Sequence, residues 1–358
     1  MASSGGSRNV PHRPGRAVTL QRVADHAGVS IATASRVLHG GGGRAVGEEL
    51  RARVLAAAAE LNYTPNAPAQ ALARARTSVV GLIVHDIGDP YFAAIATGVM
   101  KAAREHDLMV MVAATFRDPR LELEYLRRLH DQRARAVLLC GSGFADREFT
   151  GRLAESLARF TGDGGRVACI GDHGVEADTV APDNRGGAER AIAHLWELGH
   201  RRIGVVAGPS ELITVRQRLA GVRRALEQRG QVPDADCTVE ADFTRAGGGA
   251  AARELFGRRP DLTAVLALND GMAVGALAAL RDDLGRSVPE EVSVIGFDDL
   301  PCALDVRPAL TTVRVPLERT GARAMDLILA DVADGTPPRT VDVEVDLVVR
   351  ESTGPVRG

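Results

Sequence analysis

Cysteine, lysine and long apolar runs are scarce in this sequence of 358 residues. The four cysteines lie far apart and form no CxxC pair, which argues against a zinc site and a thiol redox motif. No run approaches the roughly 18 apolar residues that a transmembrane helix needs, and residues 1–15 contain no apolar segment of the secretory kind. We therefore expect a cytoplasmic protein. Its single lysine accompanies 43 arginines, so a high arginine content by itself indicates no particular partner.

The motifs of several enzyme classes are missing as well. No GxxxxGK[ST] segment is present to cradle a phosphate, and GSGFAD at 141–146 does not complete the GxGxxG pattern of dinucleotide-binding proteins. The HExxH metal motif and a Ser, His and Asp set in a supporting context are also absent. These absences predict a protein that is not an enzyme and that needs no cofactor or metal.

Charge is distributed unevenly along the chain. The composition, with 45% apolar and 25% charged residues, is that of a folded globular protein, and the length suffices for two or three compact units. Residues 1–76 contain ten arginines and four acidic residues, a formal charge of +6, which leaves −8 for the remainder. A small basic head therefore precedes a larger acidic body, and a basic head favours a polyanionic partner.

A helix, a tight turn and a second helix are predicted near the amino end. Residues 1–16, rich in Ser, Gly, Pro and Arg, are expected to form a disordered basic tail. Apolar residues then recur at helical spacing over 20–27 and stop at Gly28, which can adopt the positive φ of a helix end. Ser30 can cap the second helix, and a third helix is expected over 47–61.

The small residues of the first two helices allow close packing and leave one face of the second helix outward. The residues expected to point inward are Ala24, Val29, Ala34 and Val37, with Leu50, Val54, Leu55 and Leu61 of the third helix. A helix held in this way fits the major groove of DNA, where Arg36 could donate two hydrogen bonds to a guanine. The alternative is a small helical bundle whose exposed Arg36 is merely solvated.

The segments VTLQRVADHAGVSIATASRVL at 18–38 and ELNYTPN at 60–66 resemble the head of the lactose repressor (LacI) family of bacterial transcription regulators. The resemblance, which continues through almost the whole chain, implies base contacts by Ile31, Ala32 and Arg36. It also implies phosphate contacts by Thr19, Ser30, Thr33 and Ser35. Three details depart from the family pattern: Arg22 replaces an acidic residue, Gly47 replaces a serine cap, and Gly40–Gly43 lengthen a loop.

The segment NAPAQALA at 66–73 resembles the hinge of that family, which becomes helical only on operator DNA. Asn66 can cap such a helix, whereas one helix this short is marginal in water by itself. The resemblance implies that Leu72 is wedged into the minor groove, which unstacks a base step and bends the duplex. The alternative interpretation is a plain flexible linker.

Short apolar strands alternate with helical stretches beyond Thr77, which predicts parallel sheets covered by helices on both faces. Two series of strands are expected, at 79–84, 108–113, 136–139 and 167–170, and at 202–207, 238–241, 264–268 and 292–296. The resemblance adds a two-lobed body like that of periplasmic sugar-binding proteins, with three crossings between the lobes. The predicted fold class is an all-α helix-turn-helix head followed by a doubly wound, parallel α/β body.

The expected domain boundaries follow from these patterns. The helix-turn-helix domain spans 17–64, the hinge 65–76, and the effector-binding and dimerisation body 77–358. One lobe of the body is expected to combine about 77–181 with 302–333, and the other about 182–301 with 334–356.

Polar and aromatic residues follow several of the predicted strands, at the edge where ligands bind in doubly wound folds. They are Asp86, Tyr91, Phe92, His173, Arg218, Phe243, Asn269, Asp270 and Asp298. Such a set suits a polyhydroxylated ligand such as a sugar. Each residue also has a structural alternative, since Arg218 could be a surface charge and Asp270 or Asp298 a helix cap. By comparison with the family, Ala114 and Leu212 make a purine a less suitable ligand than a sugar.

Together these patterns predict a homodimeric, sequence-specific DNA-binding transcriptional regulator, a repressor, whose body senses a sugar or related metabolite. A two-fold dimer is expected to read a near-palindromic operator. The effector would shift DNA affinity by binding the open and closed body differently, and either direction of control fits the sequence. The body alone would also suit a solute-binding protein or a nicotinamide-dependent enzyme. The missing export signal argues against the first, and the head with its hinge argues against both.

Overall fold

The computed structural model describes residues 18–39, 46–63, 77–232, 234–331, 333 and 335–357. These residues belong to two compact units, Met1–Ala75 and Arg76–Gly358, which we call the head and the body. The predicted tail and the predicted hinge, including Asn66 and Leu72, lie outside the described residues, as does the glycine loop at 40–43.

The described head contains three helices, α1 (Leu20–Ala27), α2 (Ile31–His39) and α3 (Glu48–Glu60). The Thr19 side chain caps α1, and Gly28 ends it with a φ of 63°, a left-handed conformation that favours glycine. The Ser30 hydroxyl accepts a hydrogen bond of 3.1 Å from the Thr33 amide at the start of α2. These caps place the first two helices where the sequence predicts them.

A small apolar core joins the three helices. Its buried residues are Val23, Ala24, Ala27, Ala34, Val54 and Ala57. The prediction was wrong for Leu50 and Leu55, which are 38% and 47% exposed. Leu55 is turned about 100° around α3 from the buried Val54, so both cannot face the same core. The Arg53 guanidinium donates a 2.6 Å hydrogen bond to the Ala27 carbonyl and thereby ties α3 to the end of α1.

The body contains two six-stranded sheets. The strands of the first are β1 (Val79–Val84), β2 (Met109–Ala114), β3 (Ala136–Cys140), β4 (Arg166–Ile170), β5 (Asp178–Pro182) and β11 (Thr340–Val343). The strands of the second are β6 (Ile203–Ala207), β7 (Thr238–Glu240), β8 (Ala264–Ala267), β9 (Ser293–Asp298), β10 (Thr311–Arg314) and β12 (Asp346–Val348). The strand orders are β11-β5-β4-β3-β1-β2 and β12-β10-β9-β8-β6-β7. All pairs are parallel except β10 with β12, which confirms the predicted fold class.

Helices connect the strands and cover the sheets, as crossovers between parallel strands require. The body helices are α4 (Pro90–Glu105), α5 (Pro119–Asp131), α6 (Arg147–Gly162), α7 (Asn184–Glu197), α8 (Ile213–Glu227), α9 (Arg245–Arg258), α10 (Asp270–Asp282), α11 (Cys302–Asp305) and α12 (Leu317–Leu329). A short 3-10 helix spans Ala235–Cys237. Central strands such as β3 are buried along their whole length, which explains their unbroken apolar sequence.

The predicted lobe boundaries need correction after residue 301. Residues 311–314 belong to the second lobe because Thr311 pairs with Ile295, and residues 340–343 belong to the first because Thr340 pairs with Thr179. Between them, α12 packs against α4 of the first lobe. A Cβ atom at Gly321 would lie 2.2 Å from the Ile95 carbonyl oxygen, so glycine is required for this close helix contact. The chain therefore crosses between lobes at 182–184, 314–317 and 343–346.

The four cysteines are free thiols, with Cys140 and Cys169 buried and Cys237 and Cys302 partly buried. In the part of the chain that the structure describes, no group of three or more His, Cys, Asp or Glu side chains is arranged to hold a metal ion. No helix among the same residues combines the length and the apolar character of a membrane span.

A buried carboxyl group lies in the first lobe, in the first turn of α5. Glu122 is 2% exposed, and its Oε1 atom has no hydrogen-bond partner within the described residues. Burial raises the pKa of Glu122 to about 7, because the charged form loses its hydration there. The folded state therefore holds a proton that the unfolded chain releases at lower pH.

We predict that Glu122 makes the protein less stable as pH rises from about 4.5 to 7. In that window the folded state binds more protons at this site than the unfolded state, so the free energy of unfolding falls with pH. Glu122→Gln should remove this loss, which amounts to about 3 kcal/mol for a shift of this size. Urea unfolding at pH 4.5 and 8 measures it, with the exposed Glu105→Gln of α4 as control. Parallel pH profiles for Glu122→Gln and the unmodified protein would contradict the prediction.

Candidate functional site

The outward face of α2 is the candidate DNA-reading surface of the head. Ile31, Ala32 and Arg36 are exposed on it. Arg36 donates a local hydrogen bond from Nε to the Ala32 carbonyl, at 3.3 Å. The first turn of α2 carries no acidic residue, so the partial positive charge of the helix start is not offset there. This face can present an arginine and apolar groups to base edges.

The residues predicted to contact phosphate lie near the starts of the first two helices. Thr19 and Ser30 are exposed, whereas Thr33 and Ser35 are partly buried. The Ser30 and Thr33 hydroxyls lie 2.9 Å apart and share a hydrogen bond. Hydroxyl groups and backbone amides at helix starts are suited to anionic oxygens.

The body contains a second candidate site, a cavity between its two lobes with roughly 430 Å³ of empty volume, part of which is open to solvent. It is lined by His85, Asp89, Tyr91, Phe92, Arg117, Gly141, Ser142, Leu212, Thr214, Arg218, Phe243, Asn269 and Asp298. Residues from the carboxyl ends of strands in both sheets meet here. The sequence-predicted residues in this lining are Tyr91, Phe92, Arg218, Phe243, Asn269 and Asp298.

Three of the predicted residues lie outside the lining. The Asp86 carboxylate accepts a hydrogen bond from the Gly88 amide at 2.9 Å and shapes its own turn. His173 is buried, with its Nδ1 atom 3.1 Å from the Gly171 carbonyl oxygen. Asp270 is buried too, and its carboxylate accepts hydrogen bonds from the Thr312 hydroxyl at 2.6 Å and the Leu300 amide at 2.7 Å. In this structure all three hold protein segments in place.

Sequence reasoning missed several residues of the lining. His85 directly follows β1 and Ser142 lies two residues after β3, so the rule that led to Tyr91 could have found them. Asp89 caps α4 through a hydrogen bond to the Tyr91 amide. Arg117 lies three residues after β2, so the same rule applies to it, and it enters the site through a turn in which Phe116 and Arg117 have φ values of 52° and 62°.

A buried ion pair forms the floor of the cavity on the second lobe. Arg218 Nη2 lies 3.1 Å from Asp298 Oδ1, and both side chains are almost fully buried. Arg218 also donates from Nε to Asn184 Oδ1 at 2.9 Å and from Nη1 to the Leu268 carbonyl. Its guanidinium carbon lies 3.6 Å from the centre of the Phe297 ring. These contacts fix the guanidinium plane in one orientation.

The loop that presents Asp298 is held in an unusual conformation. Asp298 and Asp299 have φ values of 108° and 58°, a region that non-glycine residues seldom adopt. Arg314 and Arg350 each donate to the Asp299 carboxylate at 2.6 Å, which stabilises this turn. Burial raises the pKa of Asp298 to about 7, although the charge of Arg218 acts in the opposite direction.

The wall on the first lobe combines rings with polar atoms. The Tyr91 and Phe92 rings meet edge to face at 5.0 Å. Burial raises the pKa of Tyr91, so its phenol keeps its proton and can donate a hydrogen bond. Burial, together with the charge of Arg117, lowers the pKa of His85 to about 3 and keeps its ring neutral. Among the described residues, His85 Nε2 has no hydrogen-bond partner.

Arg117 spans the cleft from the first lobe to the second. Its guanidinium carbon lies 5.6 Å from the centre of the Phe243 ring, within the range of a cation–π interaction. Its buried Nε atom has no hydrogen-bond partner within the described chain. The cavity therefore offers polar atoms from both lobes beside aromatic faces.

Comparisons with known proteins decide the family. Residues 19–66 match the sequence model described as bacterial regulatory proteins, lacI family, and residues 192–353 match a periplasmic binding protein-like domain. The chain is 35% identical to the HTH-type transcriptional regulator GalS of Salmonella typhimurium over 318 residues, 88% of this chain and 90% of that protein. It is 37% identical to the regulator CelR of Thermobifida fusca over 347 residues, 94% and 98% of the two chains. The chain belongs to the LacI family.

A solved structure extends this likeness to three dimensions. The CelR–cellobiose complex is 34% identical to this LacI-family chain, with a TM-score of 0.68, and the match covers 95% of this chain and 100% of that one. The predicted family, the two-part fold and the assignment as a helix-turn-helix transcriptional regulator are therefore confirmed. The relatives are DNA-binding regulators rather than enzymes, which removes the solute-binding and nicotinamide-dependent alternatives.

Proposed function

We propose that this LacI-family regulator is a homodimeric repressor that binds a near-palindromic operator and is controlled by a sugar in the interlobe cavity. The observation that carries the proposal is the cavity itself, where a fixed Arg218–Asp298 pair faces aromatic rings of the opposite lobe. The exposed α2 face of the head supplies the DNA-reading surface.

The proposed DNA contacts divide by chemistry. Arg36 reads a base edge, because its guanidinium can donate two parallel hydrogen bonds to guanine O6 and N7. Ile31 and Ala32 contribute apolar contact, and Thr19, Ser30, Thr33 and Ser35 contact phosphate oxygens. The predicted DNA contact of Asn66 and the predicted minor-groove contact of Leu72 belong to the same proposal, although both residues lie outside the described part of the chain.

We predict that Arg36→Ala lowers discrimination at one base pair of each half-site by roughly 1 to 3 kcal/mol. Fluorescence anisotropy with the operator and with single-base variants of it, at one fixed salt concentration, measures the effect. The control is Arg51→Ala, which removes an exposed arginine from α3. Equal weakening of every duplex would show that Arg36 contacts phosphate and does not read a base.

A sugar matches the chemistry of the cavity, because each of its hydroxyl groups can donate and accept. Asp298 and Asn269 offer acceptors, Arg117 and Tyr91 offer donors, and the ring of Phe92 lies beside them. Leu212 and Phe243 add apolar surface that can cover the C–H groups of a sugar ring. One relative of known structure, CelR, is named as a complex with cellobiose.

We predict that at pH 8, where the Asp298 carboxyl is mostly ionised, Asp298→Asn weakens sugar binding at least about tenfold, because a charged acceptor contributes more than a neutral amide. Cellobiose, glucose and galactose are titrated by calorimetry into the full-length protein and then into its operator complex. The control is Asp305→Asn, an exposed change in α11. Equal binding by the variant and the unmodified protein would contradict the role of Asp298. Sugars that fail to bind, or that leave operator affinity unchanged, would contradict the proposed effector class.

The proposed dimer contact lies at the open edge of the first sheet. β2 is the last strand there, and its Met109 and Met111 side chains are 59% and 39% exposed. Met100 is exposed on α4, which packs against β2. Exposed flexible apolar side chains beside an unpaired strand edge are suited to contact with a second copy. A two-fold pair of heads can then occupy two half-sites.

We predict that Met111→Asp raises the dimer dissociation constant at least about tenfold, because a buried unpaired carboxylate is costly. Sedimentation velocity over a dilution series measures it. Val232→Asp is the matched control, since Val232 is an exposed apolar residue of the second lobe. An unchanged dissociation constant would place the interface elsewhere.

A further inference from the structure

A chain of hydrogen-bonded side chains leads from the floor of the cavity to the opposite lobe. Arg218 connects Asp298 to Asn184 through bonds of 3.1 and 2.9 Å. Asn184 Nδ2 donates to Gln217 Oε1 at 3.1 Å, and Gln217 Nε2 donates to Asp172 Oδ2 at 3.0 Å. We call these five residues the relay.

Each bond of the relay has a defined direction. The guanidinium can only donate, so the Asn184 oxygen accepts and its nitrogen is left to donate. Gln217 then accepts through its oxygen and donates to the Asp172 carboxylate in turn. A change of orientation at either amide breaks a bond on both sides of it. The relay can therefore carry a displacement of Arg218 to Asp172.

The last bond of the relay crosses between the lobes. Gln217 is on α8 of the second lobe, and Asp172 follows β4 of the first. Asn184 is the first residue of α7 and lies two residues after the end of β5 at Pro182, where the chain first crosses between the lobes. Asp172 is itself held by a 2.8 Å bond from the Gly174 amide to its Oδ1 atom. The relay thus connects the ion pair of the cavity with the point where the chain passes between lobes.

Three further hydrogen bonds cross the cleft near Gln217. They join the Ala145 amide to the Glu211 carbonyl at 2.7 Å, the Ile213 amide to the Gly143 carbonyl at 3.0 Å and the Thr214 amide to the Ser142 hydroxyl at 2.9 Å. We call this group the seam. Its three amides exchange with solvent deuterium faster when the lobes separate and these bonds break, so they report lobe opening.

We propose that Gln217 is a positioning residue that couples the Arg218–Asp298 pair to closure of the seam. A ligand that bonds to this pair shifts the Arg218 guanidinium. Through Asn184, this shift moves Gln217 and weakens or strengthens its hydrogen bond to Asp172. The identity of the ligand rests on the proposed function, whereas the coupling between Gln217 and the seam does not.

Hydrogen exchange followed by mass spectrometry tests the coupling on the full-length protein without DNA or sugar. Gln217→Leu keeps similar bulk and removes both relay bonds, so the seam amides should exchange about tenfold faster. Amides in the central strands β3 and β8 should be unaffected, which separates opening of the cleft from general destabilisation. Gln228→Leu, at the exposed end of α8, is the matched control and should leave the seam unchanged.

A charge exchange tests the direction of the bonds. Gln217→Glu alone places a carboxylate against Asp172 and should open the seam at least as much as Gln217→Leu. The double variant with Asp172→Asn supplies an amide donor facing the new carboxylate and should restore slow exchange. Restoration would not follow if Gln217 merely filled space.

Either of two results would overturn the inference: seam exchange unchanged in Gln217→Leu, or no restoration in the double variant. Neither result depends on whether the effector is a sugar. Conversely, if the seam responds as expected while cellobiose, glucose and galactose all fail to bind, the relay stands and the proposed effector class is wrong.

Discussion

The ion pair between Arg218 and Asp298 determines how the rest of the cavity is built. A buried charge without its partner is strongly destabilising, so the two groups must be held together whatever else moves. This requirement explains why the loop after β9 is held by several hydrogen bonds. Two arginines donate to the Asp299 carboxylate, and the Leu300 amide donates to the Asp270 carboxylate. Arg218 and Asp298 therefore move as one unit, and the more adaptable part of the cavity is the wall that the first lobe brings to them.

Much of the fold was predictable because its signals are local. Gly28 and the caps at Thr19 and Ser30 act on neighbouring residues, and buried parallel strands need unbroken apolar runs. Strand β10 and the edge strand β11 carry no such signal, since what assigns them to a lobe is pairing with residues far away in sequence. Leu55 was mispredicted for a similar reason. The apolar residues of α3 are spread around the whole helix, and only contacts with the other two helices determine which face is buried.

The sequence predicted the position of the cavity but only part of its lining. Strand ends point to the correct edge of the sheets, and six predicted residues line the cavity there. The same rule cannot distinguish Asp298, which faces the cavity, from Asp270, which turns inward to Thr312 and Leu300. Arg117 depends on a left-handed turn formed by two non-glycine residues, a conformation that their side chains alone do not predict.

The number of bonds across the cleft sets the scale on which a small ligand can act. The seam and the Gln217–Asp172 bond together provide four hydrogen bonds across the cleft, each with a net contribution of about 0.5 to 1.5 kcal/mol. A ligand that binds one state of the lobes more tightly shifts their balance by that difference in affinity. Because a polyhydroxylated molecule can form a similar number of hydrogen bonds to both walls, its binding energy is comparable to the energy that holds the lobes together. A stronger seam would leave such a ligand unable to change the state of the protein.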